Sequence, residues 1–150
     1  MIRPFRSETE RYGEYSKAGE YVYDHPFLWG SKRTGPDLMR EGGKYPDSWH
    51  YNHMLDPRSM SPGSIMPAFP WLLANKIDTG STSSKISAMI YLGVPYPKGY
   101  SNMANKDLMD QATKIADGLH KDGFEIEPTS QLTALIAYLQ QLGLIMKNKR

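Results

Sequence analysis

The sequence predicts an all-α domain with long irregular stretches between its helices. Apolar residues recur at helical spacing behind capping residues in several places, and no segment alternates long enough to predict a strand. Residues 23–46 and 56–80 hold seven of the eleven prolines and show no periodicity. Because long loops without structure of their own are usually functional, this pattern indicates an interior that a cofactor helps to fill. The 150 residues fit one domain.

Five helices are predicted along the chain. Ser7 and Glu10 form a capping-box pattern that opens the first, which we expect to run to about Val22. Asp47 or Ser48 caps a second, which ends at Leu55 before Pro57. The other three are a helix capped by Ser81 or Thr82 and closed by Gly93, one opening at Asn105 with an apolar face from Leu108 to Leu119, and one capped by Thr129 or Ser130, apolar from Leu132 to Leu142 and stopped by Gly143.

The composition excludes several classes of protein. The chain has no cysteine, so disulfide scaffolds, cysteine zinc sites, thiol catalysis and thioether attachment of haem by its own residues are all excluded. No apolar run approaches the roughly 18 residues that span a bilayer. Eighteen basic residues against sixteen acidic ones are too balanced to indicate nucleic-acid binding. No nucleophile elbow or phosphate-binding loop is visible, and no catalytic residue is predicted.

Two loop motifs suggest ligands for a haem. Met66 precedes a proline that stiffens the backbone, and a methionine thioether is a soft ligand that raises the potential of haem iron. Pro36 stands in a Thr-Gly-Pro-Asp-Leu run, where its carbonyl could accept the second ring N–H of an axial histidine. Taken singly, Met66 is also typical of a gap-filling core residue and Gly35-Pro36 of a plain turn.

The order of these motifs makes the chain recognisable. It resembles a class I cytochrome c domain, and more narrowly subunit II of cbb3-type cytochrome c oxidases, the mono-haem CcoO/FixO subunit. The resemblance covers most of the chain and is most specific in the first 75 residues. It is carried by the runs 1–6 (MIRPFR), 8–13 (ETERYG), 23–38 (YDHPFLWGSKRTGPDL), 56–58 (DPR), 66–72 (MPAFPWL) and 92–96 (LGVPY).

The resemblance implies an all-α, class I cytochrome c-like fold and haem c in the full-length family protein. It implies Met66 as the distal ligand of the haem iron and Pro36 as acceptor for the proximal histidine. Trp29, Arg33 and Trp71 are expected at the haem edge, with Arg33 suited to a propionate because its guanidinium pairs carboxylates bidentately. The alternative for these three is ordinary packing or solvent exposure.

The resemblance also implies the function. Family members relay electrons from the di-haem subunit III to the haem–copper catalytic subunit I, where oxygen is reduced to water, on the periplasmic side of the bacterial inner membrane. In them an anchor and a Cys-x-x-Cys-His motif precede the Met-Ile-Arg-Pro segment. We therefore expect this chain to begin just past that motif and to bind no haem covalently. The alternatives are an apo structural or docking domain and a weak non-covalent binder of haem or metal.

The four histidines give weaker signals. His50 and His53 are three apart on a predicted helix, a spacing that could present two imidazoles to one metal ion, although no third ligand is evident. His25 could substitute as a haem ligand, but a packed or hydrogen-bonded histidine is the commoner case. His120 lies near a helix C-terminus, where a cation suits the helix dipole.

Overall fold

The computed structural model describes residues 5–22, 37 and 40–144. The regular elements among these residues are all helices, and the predicted all-α fold is confirmed. No helix among the described residues is long and apolar enough to cross a membrane. The helices are α1 (Arg6–Tyr12), α2 (Asp47–Leu55), α3 (Pro57–Met60), α4 (Trp71–Ala74), α5 (Thr82–Tyr91), α6 (Tyr100–Lys121) and α7 (Gln131–Gln141), with a 3₁₀ turn at Ala18–Glu20.

The chain forms two compact units. One comprises Met1–Tyr45 together with Tyr138–Arg150, and the other comprises Pro46–Ala137. The second unit is built around fully buried Leu119 at the end of α6 and Leu132 and Ile136 on α7. Alanines that recur at helical spacing on one face of α6 are also buried, and their small side chains allow close packing. Partly buried Met54, Leu55, Leu72, Leu73, Ile115 and Phe124 pack against this core.

The start of α7 is fixed by its capping residue. The Ser130 hydroxyl oxygen accepts the Thr133 N–H at 3.0 Å, which satisfies one of the free donors of the first turn. Two backbone bonds flank this cap: Ile77 N–H donates to the Thr129 carbonyl at 2.9 Å, and Gln131 N–H donates to the Asn75 carbonyl at 2.8 Å. The chain that follows α4 is thereby tied to the start of α7, and the predicted Ser130 cap is confirmed.

Two predicted helix boundaries are wrong. α1 ends at Tyr12 rather than near Val22, because Gly13 adopts φ +87° and closes the helix, and Ser7 lies inside the helix after an N-cap at Phe5. α6 begins at Tyr100 rather than Asn105, because Gly99 at φ +78° turns the chain into the helix after Pro97. Both errors come from glycines whose left-handed conformation outweighs the local capping pattern.

Smaller corrections concern the second helix and the loops. The N-cap of α2 is Pro46, so the Asp47 and Ser48 side chains do not cap it. The irregular segment predicted over 56–80 contains α3 and α4, both short. In α3, the Asp56 carboxylate accepts the backbone N–H groups of Arg58 and Ser59. Most of the loop predicted over 23–46 lies outside the described residues.

A close backbone contact holds the first unit together. Gly42 N–H donates to the Leu142 carbonyl at 3.0 Å. The Gln140 side-chain amide binds the backbone just after Gly42: its oxygen accepts the Gly43 N–H at 3.0 Å, and its NH₂ donates to the Tyr45 carbonyl at 2.8 Å. A Cβ at residue 42 would lie 2.3 Å from the Leu142 oxygen and 2.8 Å from the Gln140 oxygen. Only glycine allows this approach.

Gly42→Ala should therefore destabilise the protein by about 1–3 kcal/mol, the usual cost of overpacking a tight contact. Gly19→Ala is the matched control, because a Cβ there meets no atom within 4 Å. Urea unfolding of the two variants beside the wild type measures the difference. Equal stabilities for the two variants would show that the Gly42–Leu142 contact does not hold this unit together.

Candidate functional site

Met66 lies on a short non-helical segment between α3 and α4. Its side chain is half-buried, whereas neighbouring Ile65 is 93% exposed. The Ser64 hydroxyl oxygen accepts the Met66 N–H at 3.2 Å, and the Ser64 N–H donates to the Ser61 carbonyl at 3.0 Å. Arg58 Nε donates to the Ser64 carbonyl at 3.3 Å. The backbone before Met66 is thus braced by a turn.

The same segment is fastened at its far end. Phe69 N–H donates to the Met54 carbonyl of α2 at 2.8 Å. The Phe69 ring meets Trp71 edge-on, with ring centroids 5.3 Å apart. Trp71 begins α4 and is 51% exposed, while Leu72 and Leu73 pack against the core. Met66 and Trp71, both predicted site residues, therefore belong to one segment anchored to α2 and to the core.

Of the Thr-Gly-Pro-Asp-Leu run, the structure describes only Asp37. Pro36, Trp29, Arg33 and His25 lie outside the described residues. The Asp37 carboxylate is buried and accepts the Ser16 N–H and the Ser16 hydroxyl, each at 2.6 Å. This pairing fixes the backbone next to Pro36. The Ser16–Asp37 pair was not predicted, because no local pattern links residues that lie 21 positions apart. The available signal was a carboxylate directly after Gly-Pro.

The comparison with protein families decides the identity of the chain. A family model described as "Cytochrome C oxidase, mono-heme subunit/FixO" matches residues 1–146. The chain belongs to this family. Among curated proteins, none matches it. The resemblance given by the sequence motifs is therefore confirmed, and with it the expectation of a haem-containing subunit of a cytochrome c oxidase.

Three side chains near α4 in this FixO-family chain have the chemistry that a haem-binding segment needs. Met66 offers a neutral sulfur donor, which suits haem iron, on a braced loop outside the core cluster. Phe69 and Trp71 add aromatic surface beside it. The chain supplies no cysteine, so it cannot form the thioether bonds of a c-type haem from its own residues. The assignment of Met66 as the distal ligand stays a prediction.

The histidine pair on α2 is arranged for packing. His50 is buried and lies edge-on to Trp49, with centroids 5.4 Å apart, and His53 stacks on the same indole at 4.4 Å. Across residues 5–22, 37 and 40–144, no group of three or more His, Cys, Asp or Glu side chains could hold a metal ion. The structure thus gives the predicted two-histidine metal site no third ligand.

His120 has a local structural role. Its Nε2 lies 3.0 Å from the Ile126 carbonyl, beyond the end of α6. The contact folds the chain after α6 back toward the helix end, where Phe124 N–H also bonds the Leu119 carbonyl at 2.9 Å. His120 therefore fastens the turn that leads toward α7.

An open cleft of about 890 Å³ lies on the second unit, away from the predicted ligand. Its walls include Leu73, His120, Phe124 and Ile126. Lys76 and Glu127 also line it and form an exposed ion pair, with Nζ and Oε2 2.8 Å apart. Neither Met66 nor Trp71 lines it. The cleft is therefore separate from the segment that carries Met66 and Trp71.

The burial of His50 predicts a pH-dependent stability. Burial lowers the pKa of His50 below 6.5, with Asp47 opposing and His53 reinforcing the shift. The unfolded chain therefore binds the proton more readily. The stabilisation is complete above about pH 6.5 and is lost as the pH falls toward the lowered pKa, at about 1.4 kcal/mol per unit of difference.

Urea unfolding at pH 7.5 and pH 5 measures this loss. His50→Gln should make the free energy of unfolding less dependent on pH over that range. Asp47→Asn should make it more dependent, because removal of the opposing charge lowers the pKa of His50 further. An unchanged pH dependence in His50→Gln would refute the assignment.

Proposed function

We propose that this chain is the electron-transfer domain of the mono-haem subunit of a cbb3-type oxidase. In this proposal it receives electrons from the di-haem subunit III and passes them to the haem–copper catalytic subunit I, which reduces oxygen to water. It works on the periplasmic side of the bacterial inner membrane, held there through an anchor outside the 150 residues. The observation that carries the proposal is the family match over residues 1–146.

The proposed role of the chain is to hold and tune its cofactor. Bound haem supplies a one-electron couple between ferric and ferrous iron. Met66 would bind the haem iron and raise its potential, because a thioether favours the ferrous state. Pro67 and the Ser64 turn would hold the backbone at Met66 in position. Phe69 and Trp71 would add aromatic surface beside the cofactor.

The proximal side is assigned by resemblance. Pro36 is proposed to accept the ring N–H of the proximal histidine, which would fix the tautomer of that ligand. The Ser16–Asp37 pair supports this role, because it immobilises the peptide next to Pro36. Arg33 is proposed to bind a propionate, and Trp29 to lie at the haem edge beside it. Haem attachment through cysteines outside these residues completes the proposed site.

A second candidate is a docking domain without haem. It is favoured by the absence of cysteine together with a core that closes on protein side chains alone, around Leu119, Leu132 and Ile136. In this case Met66 is an ordinary packing residue. Non-covalent binding of haem or metal through His25, His50 or His53 is the weaker form of this alternative.

The test replaces Met66 in a haem-loaded protein, prepared with a Cys-x-x-Cys-His segment in front of residue 1. Met66→Ala should lower the midpoint potential by a substantial fraction of the roughly 0.8 V that axial ligands span, and should open the iron to carbon monoxide. Met60→Ala is the control, since Met60 is also half-buried and lies six residues upstream.

A potential that is unchanged in Met66→Ala, with no carbon monoxide binding, would exclude Met66 as the ligand. Equal shifts in Met66→Ala and Met60→Ala would indicate a general loosening of the fold instead. Either result would remove Met66 from the proposed haem site.

A further inference from the structure

The end of α5 exposes four consecutive apolar residues. Tyr91 is 90% exposed and Leu92 70%, and Met89 and Ile90 before them are 40% and 39% exposed. Single exposed apolar side chains are ordinary, but a run of four is a liability unless it serves a contact. We call this run, with the connection that leads into α6, the α5–α6 tip.

The α5–α6 tip is an ordered turn. Gly93 N–H donates to the Ile90 carbonyl and Val94 N–H to the Met89 carbonyl, both at 3.0 Å. Tyr96 stacks on Tyr100, with centroids 5.2 Å apart and planes at 9°. The packing of α5 against α6 makes these residues the closed end of a helical hairpin. The exposed side chains are therefore presented from a defined structure and not from a frayed helix end.

The sequence stretch that contains the tip carries only basic charges. Between Thr79 and Lys106 the sequence contains three lysines, Lys85, Lys98 and Lys106, and no acidic residue. All three side chains are exposed. The nearest acids flank this stretch: Asp78 feels the charge of Lys85, and the Asp107 carboxylate accepts the Tyr100 hydroxyl at 2.5 Å.

The three lysines lie in the α5–α6 connection and on the two helices behind the apolar residues. Lys98 lies in the connection itself. Lys85 precedes Tyr91 by six residues on α5, and Lys106 follows Tyr100 by six on α6, so each lies about 9 Å back along its helix. Long lysine side chains can extend along apolar surface while their ammonium groups stay in a polar layer.

We propose that the α5–α6 tip binds the surface of an anionic phospholipid bilayer. Tyr91 and Leu92 enter the boundary between headgroups and acyl chains, and Lys85, Lys98 and Lys106 contact the phosphates. A protein partner is the poorer match, because protein–protein interfaces are depleted in lysine, whereas anionic membranes attract it and tyrosine favours the interfacial layer. This inference stands apart from the electron-transfer role and does not depend on haem.

The experiment is co-sedimentation of the 150-residue chain with vesicles. The expected result is binding to vesicles of equal phosphatidylglycerol and phosphatidylcholine, weakened by salt, and much less binding to phosphatidylcholine alone. Lys85→Gln/Lys98→Gln/Lys106→Gln should weaken binding on the order of 100-fold. The control Lys76→Gln/Lys114→Gln/Lys121→Gln makes the same change in net charge outside the tip and should weaken binding far less.

A second pair of variants tests the apolar part. Tyr91→Ser/Leu92→Ser should weaken binding to the mixed vesicles at least tenfold, whereas Ile65→Ser, which removes a 93% exposed apolar side chain elsewhere, should leave it unchanged. Far-UV circular dichroism checks that each variant keeps its helix content. Because the substituted side chains are exposed, we expect no loss of helix.

Three results would overturn the proposal. The wild-type chain could fail to bind the phosphatidylglycerol vesicles. The control variants could lose as much binding as the tip variants. The tip variants could bind vesicles normally and instead fail to assemble with other oxidase subunits, which would make the tip a protein interface.

Discussion

The burial of Leu119, Leu132 and Ile136 is the interaction on which the Pro46–Ala137 unit depends. All three are fully buried, and each stabilises the fold by about 1.5–3 kcal/mol relative to an exposed side chain. They join the end of α6 to α7, two helices separated by nine residues that form no helix. Leu72 and Leu73 pack against the same core, and this packing positions the short helix α4.

The core positions the proposed ligand segment indirectly, through α4 and α2. α4 begins five residues after Met66, and the Phe69–Met54 backbone bond attaches the segment to α2, whose Tyr51 also belongs to the core. After α4, the bonds of Asn75 and Ile77 tie the chain to the start of α7. This arrangement suits the proposed role, because a ligand on a fixed backbone segment would need little rearrangement when the iron changes oxidation state.

The sequence predicted the elements whose signals are local. The Ser130 cap with an apolar face behind it located α7, and the stop before Pro57 located the end of α2 at Leu55, although its N-cap is Pro46 and not Asp47 or Ser48. The end of α1 and the start of α6 were missed, because glycine conformation decided them. The order of motifs singles out Met66, whereas the Ser16–Asp37 pair depends on tertiary folding that no local pattern encodes. The roles of Met66, Trp71, Trp29, Arg33 and Pro36 stay predictions.

The most direct test of this account is amide hydrogen exchange in the chain without haem. The account predicts that the Phe69, Ile77 and Gln131 amides are protected, and that Leu132→Ala lowers the protection of all three together, because one core holds them. Leu92→Ala is the comparison, since Leu92 is 70% exposed and should leave these amides unaffected. If Leu132→Ala destabilised α7 while the Phe69 amide kept its protection, the core would not be what positions the Met66 segment.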